Sequence, residues 1–158
     1  MAFEEKTFDK ASGQILQILQ ADARIGNQQL AERVGLSVTP VWRRVRELED
    51  AGVIRSYVAL LDRQKMGLNL CVLVYISLSR HNAGVEKNFE TMVKTSPEIM
   101  DCLAMAGDSD YVIKVVVRDI EAYNLFLQKK IFRMEGISHV RSQVVLREVK
   151  SETALPVL

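Results

Sequence analysis

Between Arg33 and Arg46 the chain carries four arginines and no acidic residue, and acids resume only at Glu47, Glu49 and Asp50. Arginine at this density suits one chemistry above others: a guanidinium forks onto the edge of a guanine or pairs with a backbone phosphate. A second group of suggestive types is the run Gly107-Asp108-Ser109-Asp110. Glycine and aspartate are what a tight turn requires, and a plain hairpin accounts for them. The same residues could also hold a free amino acid, the turn amides taking its carboxylate while Asp108 or Asp110 accepts from its ammonium.

Each group needs an element to aim it. Ala11, Ile15, Ile18 and Leu19 share one helical face, entered from Asp9 as the capping residue. Asn27 is placed to cap a second helix on which Leu30, Ala31 and Val34 align; Gly35 ends it in the left-handed conformation, and Leu36 plugs the turn. Ser37 then caps a third helix with Pro40 inside its first turn, and Gly52 stops it. Two helices about a tight Gly-Leu-Ser turn, with another packed across them, spell a helix-turn-helix.

With Val41, Val45 and Leu48 turned inward, Thr39, Trp42, Arg43 and Arg46 point outward. Such a helix can enter a DNA major groove with its first turn at the base edges. Ser37, Thr39, Trp42, Arg43 and Arg46 are the candidate DNA-binding residues. Trp42 suits packing as well as a base or sugar contact, and Arg44, at the core edge, reads as a structural ion-pair partner. A solvated basic helix is the plain alternative; the capped turn and the confinement of acids to the far end of the helix favour double-stranded DNA.

After residue 62 the pattern changes. Strands are expected at 70–79, 99–106, 111–117 and 139–149. A helix with Val85, Phe89, Met92 and Val93 on one face lies between the first pair. Another, starting at Asp119 with Ile120, Tyr123, Leu127, Ile131 and Met134 on one face, lies between the last pair. Strand, helix, strand, strand, helix, strand is the ferredoxin-like plan, so the whole is an α+β protein. The expected division is a helix-turn-helix over 1–53, an extended linker strand over 54–66 and a ferredoxin-like ligand-sensing and oligomerisation domain over 67–158. In the first strand Leu70, Val72, Val74, Ile76 and Leu78 make one apolar face, and Cys71, Leu73 and Tyr75 make another. Helices cover only one face in this topology, so a homodimer packed sheet to sheet is expected. Two such reading helices roughly 34 Å apart would meet two half-sites.

Other classes fit less well. With 158 residues, 48% of them apolar and 26% charged, the chain can bury a core but cannot be a large multidomain enzyme. Lysine and arginine total 21 against 20 acids, and neither half is basic as a whole. The longest apolar run, Leu70 to Ile76, falls well short of the roughly 20 residues of a membrane span. MAFEEKTFDK has no basic leader before an apolar core, so no secretory signal is expected and the cytoplasm is the expected compartment. Cys71 and Cys102 suit reduced, apolar strand positions; His81 and His139 suit solvated loop or strand-end positions. Neither pair has metal-ligand spacing, so no metal, no cofactor and no catalytic site is expected. A small ferredoxin-like enzyme and a protein-interaction module are the alternatives to a DNA reader.

The stretch DARIGNQQLAERVGLSVTPVWRRVRELEDAGVIRSYVALLD resembles the DNA-binding half of the Lrp/AsnC, or feast/famine, bacterial transcriptional regulators, and AGDSDYVIKV resembles the turn of their effector-sensing domain. The resemblance runs from about Asp9 to Lys150. It implies a sequence-specific transcriptional regulator that dimerises, often further to an octamer, with an amino acid bound between dimers altering assembly or DNA binding. By position it carries the effector turn onto Gly107, Asp108 and Asp110, and Ser142 falls where many members have threonine. With the flanking Met105, Ser109 and Tyr111 these are the candidate effector-binding residues. Val140 stands where other members often carry a hydroxyl residue, and Ser109 replaces the aromatic residue of some leucine-responsive members.

Overall fold

A computed structural model describes residues 8–79 and 84–157; His81 lies outside them. The chain divides into two compact units, one made of the residues up to Leu60 and from Lys150 onward, the other of Leu61–Val149. This departs from the expected 67–158 domain: the last residues belong with the first unit. Gln20 is the cause. Its side chain accepts from the Leu155 amide at 2.6 Å and donates to the Leu155 carbonyl at 3.0 Å, and Val157 packs with the helical core. The expected linker strand over 54–66 carries neither helix nor ladder within this chain.

The first unit is built of α1 (Lys10–Ala21), α2 (Asn27–Val34) and α3 (Val38–Asp50). Asp9 caps α1 through a 2.7 Å bond from the Ser12 amide, one of the orphan donors every helix start leaves. At α2 the cap position is held by Gly26 instead, and Asn27 is already helical. Gly35 ends α2 at φ 73, and the Leu36 amide returns to the Ala31 carbonyl at 3.0 Å, the backbone closure that a left-handed residue permits. Leu36 itself does not plug the turn; it is 38% exposed. Ile15, Leu30 and Val41 form the fully buried centre.

The second unit holds β1 (Leu70–Leu78), α4 (Val85–Lys94), β2 (Ile99–Ala104), β3 (Tyr111–Val117), α5 (Ile120–Phe126) and β4 (Ile137–Val144). The strands form one antiparallel sheet in the order β2-β3-β1-β4, the ferredoxin-like arrangement. Val72, Val74, Ile76, Ile113 and Val115 pack beneath Phe89, Tyr123, Phe126 and Ile131. The last helix departs from simple periodicity: α5 passes into one π-helical turn, Leu127–Ile131, closed by the Phe132 amide on the Leu127 carbonyl at 2.8 Å. The wider turn brings both Phe126 and Ile131 into the core, while Ile120, expected inside, is 49% exposed.

Across the other face of the sheet, Leu73 pairs in register with Lys114 and Gln143, and Tyr75 with Val112 and Arg141. Leu73 and Tyr75 are half-buried and Cys71 is fully buried. The face is therefore more polar than the alternation in β1 alone suggests: Arg141 stacks over the Tyr75 ring at 4.7 Å, and Lys114 meets Glu148 at 3.2 Å. Among the described residues no helix is long and apolar enough to cross a membrane.

Candidate functional site

Helix α3 has one buried row, Val41 and Leu48, with Val45 beside it, and one exposed row. On the exposed row Trp42 is half-exposed, Arg46 lies 5.8 Å over its ring, and Arg43 and Arg46 project from the surface. Ser37 and Thr39 are exposed at the amino-terminal end. Ser37 holds the cap position by its backbone, and its hydroxyl makes no capping bond. Amides at a helix start and the dipole behind them favour phosphate oxygens there. Arg44 stands apart from this row: its guanidinium meets Asp9 at 2.8 Å and ties α3 to the start of α1, the structural role its position suggests.

The arginines are not bare. Arg43 meets Glu47 at 3.5 Å and Arg46 meets Glu49 at 3.4 Å, both as surface pairs of small worth. Glu49 also accepts from the Tyr57 hydroxyl at 3.0 Å. Burial first, and then the Glu49 carboxylate, push that hydroxyl up to about 12. Tyr57 thus joins Trp42, Arg46 and Glu49 in one cluster. Sequence reasoning misses it, because an aromatic in an extended connector carries no periodic signal.

The turn between β2 and β3 is built differently from a plain hairpin. Gly107 sits at φ 147, where a side chain is strained. The Met105 amide donates to the Asp110 carbonyl at 2.8 Å, and the Asp110 amide donates to the Ile76 carbonyl at 3.0 Å. The Asp110 carboxylate accepts from the Leu78 amide at 2.7 Å. One of the two acids therefore holds the turn onto the end of β1. Asp108 is exposed, and its carbonyl accepts from the Ser77 hydroxyl at 3.4 Å. Met105 is exposed and Ser109 half-buried.

The remaining two candidates lie elsewhere. Tyr111 is buried, its ring 4.7 Å from Phe89 and its hydroxyl donating to Glu86 at 2.9 Å. Ser142 pairs with Val74 on the far side of β1 and shares a 2.5 Å hydrogen bond with the buried Tyr123. Two strand spacings, roughly 10 Å, separate β3 from β4. One chain brings Met105, Gly107, Asp108, Ser109 and Asp110 together and leaves Ser142 across the sheet. Val140, opposite Ile76, is the β4 residue nearest in register to Tyr111.

Residues 8–55 match the winged helix-turn-helix DNA-binding family and residues 71–155 match the Lrp/AsnC ligand binding domain. The chain belongs to the Lrp/AsnC family. Among its relatives, the leucine-responsive regulatory protein of Escherichia coli is 41% identical over 150 residues, 95% of this chain and 92% of that protein. The DNA-binding transcriptional activator DecR of Escherichia coli is 37% identical over 149 residues, 94% and 98% of the two chains. A transcriptional regulator of Neisseria meningitidis, solved as a complex with L-methionine, superposes with TM-score 0.91 at 36% identity over 95% of this chain and 97% of that one. An AsnC family regulator of Agrobacterium tumefaciens gives 0.89 at 40% identity, covering 94% and 97%.

This Lrp/AsnC member is accordingly a DNA-binding transcriptional regulator with an effector-binding domain. Among the described residues no cluster of three or more His, Cys, Asp or Glu gathers to hold a metal. Burial pushes the thiols of Cys71 and Cys102 up from their ordinary value, opposite to what a reactive thiolate needs. His139 is exposed at the start of β4.

Proposed function

We propose that this regulator reads double-stranded DNA with the exposed row of α3 and senses a free amino acid at the Gly107–Asp110 turn, acting in the cytoplasm and without catalysis. The observation that carries the first half is the two-sided build of α3: Val41 and Leu48 are buried, and Thr39, Trp42, Arg43 and Arg46 face out. An arginine forked onto guanine contributes about 1 to 3 kcal/mol of discrimination. Arg43→Glu should therefore weaken operator binding in a gel shift by about 1 to 3 kcal/mol. Undiminished binding would remove α3 from the interface.

Support for the sensing half is the exposed Asp108 carboxylate beside Gly107, whose positive φ suits glycine, together with a relative solved bound to L-methionine. An amino acid that binds only the folded protein raises its thermal midpoint. A thermal-shift screen of the standard amino acids, L-methionine first, should find one that does so for the native chain and not for Asp108→Ala. If none stabilises the native chain, the turn is structural only.

Dimerisation follows the same reading. Leu73, Tyr75 and Val112 lie on the sheet face without helices, with Leu103 exposed beside them, and Val58, Leu60 and Leu61 form an exposed apolar run. A homodimer packed through that face covers Leu73, Tyr75, Leu103 and Val112, and the family resemblance extends the assembly to an octamer. Light scattering on the eluted protein, with Leu103→Lys as the disrupting variant, checks the state.

A further inference from the structure

Arg43 and Arg46 each have a glutamate within reach, but the two pairs are built differently. Glu47, the partner of Arg43, is 64% exposed, and its carboxylate has no second contact among the described residues. Glu49, the partner of Arg46, is 27% exposed. Its Oε2 faces Arg46 at 3.4 Å, and its Oε1 accepts from the Tyr57 hydroxyl at 3.0 Å. A carboxylate engaged at both oxygens and half-buried has lost most of the rotamer freedom that an exposed one keeps. With its hydroxyl pushed up to about 12, Tyr57 stays protonated, and so remains a donor, at neutral pH.

Arg46 is restrained in turn from two sides. Its Nη1 donates to Glu49, and its guanidinium lies 5.8 Å over the Trp42 ring, within the distance at which a cation is drawn to an aromatic face. A guanidinium carries five N–H donors. Those on Nε and Nη2 meet no partner among the described residues, so the arginine is held and still has donors to offer. Tyr57 lies outside the three helices, in the extended segment that follows α3. Binding costs the freedom of each side chain that it immobilises, and a side chain already held costs less.

We propose that Tyr57 and Glu49 are positioning residues for DNA binding: together they hold Arg46 in the orientation in which its remaining donors meet the duplex. The inference rests on α3 as the DNA-reading helix and deepens that reading. Its consequence is a difference of sign between two glutamates on one helix. Glu47 competes with DNA for Arg43, whereas Glu49 stays in place and supports Arg46.

The test is fluorescence anisotropy of the full chain on a labelled duplex selected from a random library with the native protein. Tyr57→Phe removes only the hydroxyl, and Glu49→Gln turns one acceptor oxygen into a donor. Each should weaken binding by about two- to tenfold, the worth of immobilising one long side chain. Arg46→Ala should weaken it at least as much as either, and in that background Tyr57→Phe and Glu49→Gln should have no further effect. Tighter binding by Glu49→Gln would make Glu49 a competitor and overturn the inference. Losses of equal size with and without Arg46, the mark of a general structural role, would overturn it too. A loss in Arg43→Glu with none in Tyr57→Phe and Glu49→Gln would remove the inference alone, whereas Arg43→Glu without effect would remove DNA reading by α3 and the inference with it.

Discussion

The carboxylate of Asp110 accepts from the amide of Leu78 at 2.7 Å, so a residue of the Gly107–Asp110 turn caps the end of the central strand. Asp108, two residues earlier, is exposed and forms no part of that cap. Two aspartates that look interchangeable in the sequence thus have different work. Asp110→Ala should lower stability by about 1.5 kcal/mol, the low end of the range for a hydrogen bond to a charged group, because the bond is exposed. Asp108→Ala should leave urea unfolding within about 0.5 kcal/mol, as surface substitutions do, while removing the amino-acid thermal shift. Equal destabilisation by both variants would refute the division.

Gly136 and Gly107 separate strain from crowding. A Cβ at Gly136 would lie 2.6 Å from Val85 Cγ1 and closer still to Cγ2, at φ 88. At Gly107, φ is 147 and nothing lies within 4 Å. Left-handed strain costs roughly 1 to 2 kcal/mol and overpacking roughly 1 to 3 more. Gly136→Ala should therefore destabilise by about 2 to 5 kcal/mol and Gly107→Ala by about 1 to 2 kcal/mol. Chemical denaturation of both variants checks the order; Gly107→Ala as the costlier change would contradict it.

Much of this was legible because burial imposes period. Val72, Val74 and Ile76 alternate with Cys71, Leu73 and Tyr75, and Phe89 with Val85 marks the inner face of α4, so the order of elements can be read directly. Ile120 misleads because a π-helical turn at Leu127–Ile131 resets the helical phase, and no local composition announces such a turn. Leu36 misleads because the Gly35 closure is made by backbone alone. The docking of Leu155 and Val157 with α1 depends on a contact 135 residues distant in sequence. At the turn, the residue types are visible, but the use of Asp110 by β1 depends on strand register, and Ser142 is seen to lie across β1 only once the strand order is known.

Tyr111 makes stability sensitive to alkali. Burial first, and then the Glu86 carboxylate, push its hydroxyl from the ordinary 10.0 up to about 12. The folded chain therefore holds this proton more tightly than the unfolded chain. Its contribution is fully present below pH 10 and is lost as pH rises towards about 12. Urea unfolding followed across that window should show the loss, and Tyr111→Phe should remove its share of it, leaving that of Tyr57, whose hydroxyl is raised to the same value. A native chain with no pH dependence there would count against the Tyr111–Glu86 bond.

Despite a near-neutral net charge of +1, the arginine row of α3 should make DNA binding strongly salt-dependent. Arg43 and Arg46 are engaged with Glu47 and Glu49, but the Arg43 and Glu47 side chains are 66% and 64% exposed. Exposed pairs contribute about 0 to 1 kcal/mol, so phosphate should displace Glu47 from Arg43 readily. Paired α3 helices and their flanks in a dimer could neutralise roughly six to eight phosphates, giving a slope of log affinity against log salt of about −5 to −7. Glu47→Gln removes a competitor for Arg43 and should tighten binding a few-fold at low salt, with a smaller gain at high salt as screening rises. Fluorescence anisotropy with a labelled duplex across a salt series measures both quantities. A flat slope in the native protein would contradict the arginine row as the principal contact, and a Glu47→Gln variant that binds more weakly would show that Glu47 orients Arg43 instead of competing for it.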